Sequence, residues 1–350
     1  MRRIMTISIY IPLAFLFFGV TGLSFAADKA LIEAAKKEGE IVWYTAFPRR
    51  FLPKVNEIFK KTYNLGDDFK IKSTRKGSGA VAQTVEAEHM VGRSNWDVVS
   101  MGDETPSYRW MKKGMLMKYQ PPNIGNIRDE FQDPHGYRVA GIAGITSVAI
   151  HKKRVPEKDW PKRYKDLLDP KFKGRVGLAN PATSGPGVMA TRFMVELYGW
   201  EFFRELGKNK PVLVKGAGAL EQLLISGEID VALCPNEFST LERIQRGETE
   251  LKVLYPENLV AFYTMWTLIN KDAPHPNAAK LWAEFAASEI RQKYITENAG
   301  RFITAKNVKF GIPRPALKFH KLDWEWITEH KDDMCKKFIE ELQKGIAEAR

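Results

Sequence analysis

From Ile41 to Lys112 the chain alternates short apolar, β-prone runs with stretches whose apolar residues recur at helical spacing, and this narrows the fold more than any other feature. Ile41-Val42-Trp43-Tyr44-Thr45 reads as a buried strand. Leu52, Val55, Ile58 and Phe59 then mark one face of a helix, with Pro53 tolerated in its first turn. Phe69–Ser73 and Trp96–Met101 repeat the strand pattern, followed by helical stretches that run through Met90 and over Thr105–Lys112. Parallel strands need crossover connections of this kind, so the alternation predicts a mostly parallel sheet flanked by helices.

The rest of the chain continues in the same style. A shorter helix, Leu31–Lys37, precedes the first strand and stops at Gly39. An irregular stretch with Pro121, Pro122 and Pro134 leads into long β structure over Tyr137–His151. Strands are then predicted at Arg175–Ala179, Val212–Val214, Ile229–Cys234, Leu251–Tyr255 and Leu259–Asn270. Helices are predicted at Pro186–Tyr198, Trp200–Leu206, Ala219–Ile225, Glu237–Gln245, Asn277–Ala287, Ser288–Glu297 and Trp324–Ala349. With 350 residues the chain exceeds what one hydrophobic core organises, so two lobes are expected. The break at Gly141–Ser147 and the strand Leu259–Asn270 are the candidate crossings between them. The expected division is residues 27–140 in the first lobe, 141–259 in the second, 260–310 back in the first, and a C-terminal helical segment, 311–350, of open assignment.

The N-terminus reads as an export signal over residues 1–26. Arg2 and Arg3 precede a largely apolar, uncharged stretch, Ile4–Val20, and Ser24-Phe25-Ala26 offers small residues where signal peptidase cuts. Pro12, Thr6 and Ser8 interrupt a run already short for a membrane span. Cleavage after Ala26 removes two bases and no acid from a formal net charge of +12. The mature chain therefore stays basic, which suits an acidic ligand. Its Lys and Arg are dispersed and no nucleic-acid-binding motif accompanies them, so no nucleic-acid partner is expected. The only cysteines, Cys234 and Cys335, are compatible with a disulfide or with two buried thiols. No Cys/His spacing indicates a metal and no cofactor motif is present.

Three loops share a design. Tyr44–Arg50, Lys76–Ala80 and Asn180–Gly187 each follow a predicted strand and are succeeded by a helix. In open α/β sheets, ligands bind beyond the carboxyl ends of the strands. A helix start also presents unpaired N–H groups and partial positive charge. Asn-Pro-Ala-Thr-Ser-Gly-Pro-Gly, 180–187, is the best candidate to cradle an anion; a plain N-cap uses the same residues.

Taken in order, Gly-Glu-Ile-Val-Trp-Tyr-Thr (39–45), Gly-Ser-Gly-Ala (77–80), Asp-Val-Val (97–99), Asp-Leu-Leu-Asp-Pro-Lys-Phe-Lys-Gly-Arg-Val (166–176), Pro-Ala-Thr-Ser-Gly (181–185) and Ser-Gly-Glu-Ile-Asp-Val-Ala (226–232) resemble the periplasmic solute-binding proteins of ABC importers, in the ferric-iron, thiamine and phosphonate branch. The resemblance spans roughly Gly39–Phe302. It implies an α/β, two-lobed type II periplasmic-binding-protein fold, with mixed sheets flanked by helices and a cleft that closes on a small molecule. It further implies a monomeric periplasmic protein that makes and breaks no bond and delivers its solute to an ABC permease. Iron-binding members carry adjacent tyrosines after the strand that corresponds to Ile229–Cys234; this chain has Pro235-Asn236-Glu237-Phe238-Ser239 there and no tyrosine pair anywhere. A metal-free site is therefore expected, for a carboxylate, phosphate or phosphonate-type solute.

On this footing the expected ligand-binding residues are Tyr44, Thr45, Arg49, Ser78, Gly79, Asp103, Glu104, Ser147, Thr183, Ser184, Gly185, Asn236 and Glu237. Most have a structural alternative: strand alternation for Tyr44 and Thr45, a solvated pair for Arg49 and Arg50, a capped turn for Ser78 and Gly79, helix capping for Asp103, Glu104 and Ser184, a sheet hydroxyl for Ser147, and pairing with a protein Arg for Glu237. Tyr263 and Trp266 offer an aromatic wall or core packing. Three other functions use the same residues. A thiamine carrier would rely on Glu104, Glu237 and Trp266, a ferric-iron carrier would need an unusual ligand set or a bound anion to complete the coordination, and a ligand-presenting sensor would use the same cleft. An exported hydrolase would need Ser78 or Ser184 as nucleophile, yet neither lies in a Gly-x-Ser-x-Gly elbow and no His–acid set accompanies them.

Overall fold

The computed structural model describes residues 28–349; the export signal predicted over residues 1–26 lies outside them. Strands β1 (Glu40–Thr45), β2 (Lys70–Arg75), β3 (Val98–Met101) and β4 (Arg138–Ile145) belong to one sheet. Strands β5 (Val148–His151), β6 (Val176–Ala179), β7 (Val212–Val214), β8 (Val231–Leu233) and β9 (Leu251–Leu254) form a second. The chain then returns to the first sheet with β10 (Leu259–Ile269), β11 (Phe302–Ile303) and β12 (Lys318–His320). The first sheet runs β11-β4-β10-β3-β1-β2, with β12 on β10; the second runs β7-β6-β8-β5-β9.

The sheets are mixed. β1 pairs parallel with β2 and β3, as the strand–helix alternation requires, but β10 enters antiparallel between β3 and β4. In the second sheet β6 is parallel to β7 and β8, whereas β5 is antiparallel to β8 and β9. The β structure expected over Tyr137–His151 is two strands in two sheets. It divides at Thr146-Ser147, where Thr146 N–H donates to the Ala261 carbonyl of β10. The return passage lies between Leu254 and Leu259, so the two passages between sheets run side by side.

Helices α1 (Lys29–Glu38), α2 (Leu52–Tyr63), α3 (Ser78–Met90), α4 (Thr105–Lys112), α5 (Gly185–Tyr198), α6 (Glu201–Lys208), α7 (Ala217–Ser226), α8 (Glu237–Gln245), α9 (Pro276–Ala286), α10 (Glu289–Ala299) and α11 (Trp324–Glu348) cover the sheets. The first sheet packs against an aromatic core in which Trp43 of β1, Phe59 of α2, and Trp282 and Phe285 of α9 interlock at centroid distances of 4.7–5.6 Å. The second sheet is covered on both faces, and its two-residue period sorts them. Val148, Ile150, Val231 and Leu233 face a core shared with α5, α6 and α11, while Ala149, Ala179 and Ala232 face α7. Helix α11 lays Ile327, Met334, Phe338 and Leu342 into the core of the second sheet. It also reaches the first sheet's layer, where Lys112 of α4 pairs with its Glu329 at 2.6 Å. Cys234 and Cys335 are both buried and unpaired, and burial pushes the Cys234 thiol up to about 12.

Candidate functional site

A cleft of about 490 Å³ opens between the two sheets. Its walls are helix starts. Gly77, Ser78 and Gly79 begin α3 beyond β2, Thr183, Ser184 and Gly185 begin α5 beyond β6, Gly216 and Ala217 begin α7 beyond β7, and Asn236 precedes α8 beyond β8. These loops are connected because a strand that feeds a helix directly leaves only a few residues to turn in, and those residues sit at the strand's carboxyl end. Gly187 lets the start of α5 lie close on β6: a Cβ there would stand 2.7 Å from the Ala179 carbonyl oxygen.

The helix starts differ in how their N–H groups are used. Ser184 Oγ accepts from Gly187 N–H at 3.2 Å, a helix cap made by a buried hydroxyl. Thr183 Oγ1 donates to the Lys215 carbonyl at 2.7 Å, tying the α5 loop to the α7 loop. The starts of α3, α7 and α8 have no side-chain cap, with Gly77, Gly216 and Asn236 in the capping position. Their first N–H groups therefore have no intrahelical acceptor where they face the cleft.

Asp103, after β3, and Lys331 of α11 are the charged side chains among the described residues lining the cleft, and Lys331 Nζ stands 3.4 Å from Asp103 Oδ2. Asp103 Oδ1 accepts from both the N–H and the hydroxyl of Thr105, so this carboxylate also caps α4. The floor is Tyr263 of β10, whose ring fills the space that side chains at Gly102 and Gly144 would occupy.

Of the residues expected at the site, the structure thus brings together Ser78, Gly79, Asp103, Thr183, Ser184, Gly185 and Asn236. The others lie outside the lining. Tyr44 points away to donate to Glu88 Oε1 of α3 at 2.9 Å, and burial with that carboxylate beside it pushes its phenol up to about 12. Thr45 is buried and accepts from Phe47 N–H within its own turn. Arg49 is exposed, and its neighbour Arg50 forms an ion pair with Glu242 of α8. Ser147 is buried at the passage between sheets with an unpartnered hydroxyl. Glu104 turns to the other side of β10, where its oxygens accept from Thr264 N–H at 2.6 Å and Trp266 Nε1–H at 2.7 Å. Glu237 is buried in a bidentate pair with Arg314 and accepts from the Tyr255 hydroxyl at 2.6 Å. Both carboxylates are withdrawn from the cleft because a buried charge must be paired.

Sequence reasoning missed Gly216, Ala217 and Lys331. The first two carry the same strand–loop–helix signal, in Val212-Leu213-Val214 followed by Lys215-Gly216-Ala217, and were readable. Lys331 sits in mid-helix, some 228 residues from Asp103, and no local pattern marks it. Of the aromatic pair in β10, Tyr263 lines the cleft and Trp266 does not, because positions three apart on a strand point to opposite faces.

The family model for bacterial extracellular solute-binding proteins matches residues 96–330. The chain belongs to this family. It is a family of binding proteins and not of enzymes, and in this binding protein the Ser184 hydroxyl accepts a capping N–H where a nucleophile would need a base. An uncharacterized protein of Haemophilus influenzae (strain ATCC 51907 / DSM 11121 / KW20 / Rd) is 25% identical over 336 residues, 91% of this chain and 95% of that one. Iron-bound HitA from Pseudomonas aeruginosa superposes with a TM-score of 0.71 at 22% identity, over 85% of this chain and 99% of its own. AfuA from Actinobacillus pleuropneumoniae, with fructose-6-phosphate bound, gives 0.70 at 23% identity, over 87% and 98%. These similarities establish the two-lobed periplasmic-binding fold for the binding protein.

Proposed function

We propose that this chain is the solute-capturing component of an ABC importer in the periplasm, and that its cleft holds a small organic anion bearing a phosphate, phosphonate or carboxylate group. The observation that carries this reading is the convergence of four helix starts on one cleft, three without a side-chain cap, with Lys331 beside them. N–H groups at helix starts and an ammonium suit oxyanions. The Tyr263 ring supplies a flat apolar surface for the rest of the solute. Function then needs binding and no chemical step. The lobes close on the solute, exclude water and present the loaded form to the permease.

Ferric iron is the second reading, supported by the likeness to HitA. The sequestration of Glu237 by Arg314 and Tyr255 disfavours it. So does the placement of His, Cys, Asp and Glu, no three of which among the described residues are grouped to hold a metal ion. Fructose-6-phosphate, inorganic phosphate, methylphosphonate, succinate and ferric citrate, each added to the purified chain in a thermal-shift series, separate the readings. A phosphate or carboxylate compound is expected to raise the melting temperature by mass action. Ser184→Ala and Lys331→Gln are each expected to weaken that solute's binding about tenfold or more, the loss of one charge-assisted contact. A response to ferric citrate alone, with a visible charge-transfer band, would establish the iron reading in its place.

A further inference from the structure

Behind strand β10 lies a second cavity, of about 330 Å³, that the cleft does not use. Tyr263 faces the cleft, while Phe262, Thr264 and Trp266 face this cavity, as strand alternation requires. Its outer wall is the turn that starts α11, with Leu322 and Trp324 buried and Lys321, Asp323 and Glu325 exposed at the mouth. The arrangement is a polar mouth over a buried aromatic floor, the form that small-molecule sites take.

Three buried side chains that line it carry a polar atom with no partner: Thr264 Oγ1, Arg138 Nε and Trp324 Nε1, on residues 0%, 4% and 6% exposed. Two are N–H donors and the third is a hydroxyl that can donate. Unsatisfied buried donors are costly, and three on residues that line one cavity make it a place where an acceptor would be stabilising. Aromatic side chains hold one of these donors in place. The Arg138 guanidinium lies 4.3 Å from the Tyr108 ring centroid and 4.6 Å from that of Trp266. Arg138 spends its charge on Asp133 at 2.8 Å, with Glu104 at 3.7 Å. The lining then holds the acids Glu104, Glu130, Asp323 and Glu325 against Arg138 and Lys321, an excess that repels a carboxylate.

We infer that this cavity is a second ligand site, built for a small, uncharged, planar molecule that offers a carbonyl or ring-nitrogen acceptor to Thr264, Arg138 and Trp324. A heteroaromatic amide has that chemistry: a flat apolar ring for the aromatic lining, one acceptor for the donors, and no charge to meet the acids.

Nicotinamide is the probe. Titrated calorimetrically into the mature chain, it is expected to bind at one site, and benzoate, of similar shape but charged, to bind more weakly. In 15N–1H spectra the indole cross-peak that Trp324→Phe removes is expected to shift on addition of nicotinamide. Thr264→Val and Trp324→Phe should each weaken binding roughly fivefold, the loss of one neutral hydrogen bond, and Thr264→Ser should retain it. Absence of heat and of any indole shift at millimolar nicotinamide would leave water as the only occupant and overturn the proposal. So would binding that neither variant changes, or tighter binding of benzoate. The outcome is independent of whether the cleft takes an anion.

Discussion

Adjacent residues Asp103 and Glu104 show how finely position decides the use of a carboxylate. Asp103 caps α4 and meets Lys331 in the cleft, whereas Glu104 is fully buried on the other side of β10. Burial pushes the Glu104 carboxyl up to about 7; Arg138 and the N–H groups of Trp266 and Thr264 only partly offset it. A folded-state value above the ordinary 4.5 means that the folded form holds this proton more tightly than the unfolded chain. The associated stability is fully present below that ordinary value and is lost as pH rises through about 7. The expected decline across this window is on the order of 3 kcal/mol. Urea unfolding of Glu104→Gln should lack that slope, since the amide has no proton to lose; an unchanged slope would assign it to other groups. Glu237 is held differently, by the opposite charge of Arg314 with both side chains almost wholly buried. Replacing Arg314 by Met leaves that carboxylate unpaired and should cost about 3–5 kcal/mol, measurable in the same unfolding experiment.

At the scale of elements, β10 separates two chambers. Its odd and even positions send Tyr263 to the cleft and Thr264 and Trp266 to the cavity behind. The Tyr263 ring needs glycine on both neighbouring strands, because a methyl group at Gly102 would stand 2.8 Å from Tyr263 Cε2 and one at Gly144 would overlap the ring. Gly144→Ala is therefore expected to displace the ring into the cleft. It should weaken solute binding more than it lowers the unfolding midpoint, and equal binding by the variant would show that the ring does not form the floor. The strands, the helix starts and the Asn180–Gly187 loop were legible in the sequence because each rests on local periodicity and turn chemistry. Short strands β11 and β12 were not, since Phe302-Ile303 and Lys318–His320 become strands only by pairing with β4 and β10.

At the scale of the whole molecule, exposed ion pairs bridge the layers on either side of the cleft. Arg50 pairs with Glu242 of α8, and Lys112 with Glu329 of α11. Each contributes little alone, about 0–1 kcal/mol, and salt screens it. If the lobes open and close as the proposed function requires, the two pairs together are expected to bias that balance in the absence of solute. Small-angle scattering of the solute-free protein is expected to show a larger radius of gyration at about 0.5 M than at about 0.05 M salt. A variant carrying Arg50→Ala and Lys112→Ala should be insensitive to salt; an equal salt response in both proteins would exclude these pairs as latches.

By itself the sequence determined the α/β class, the strand–loop–helix design of the cleft walls and the loop that begins α5, because strand period, helix period and glycine-rich turns are written in neighbouring residues. The tertiary structure decided which groups reach the cleft. Lys331 arrives from a helix near the C-terminus, Glu104 and Glu237 are withdrawn into buried pairs with Arg138 and Arg314, and the face of β10 that carries Tyr263, not the one that carries Trp266, is turned to the cleft. Those outcomes depend on partners distant in the chain, which no local pattern of residues encodes.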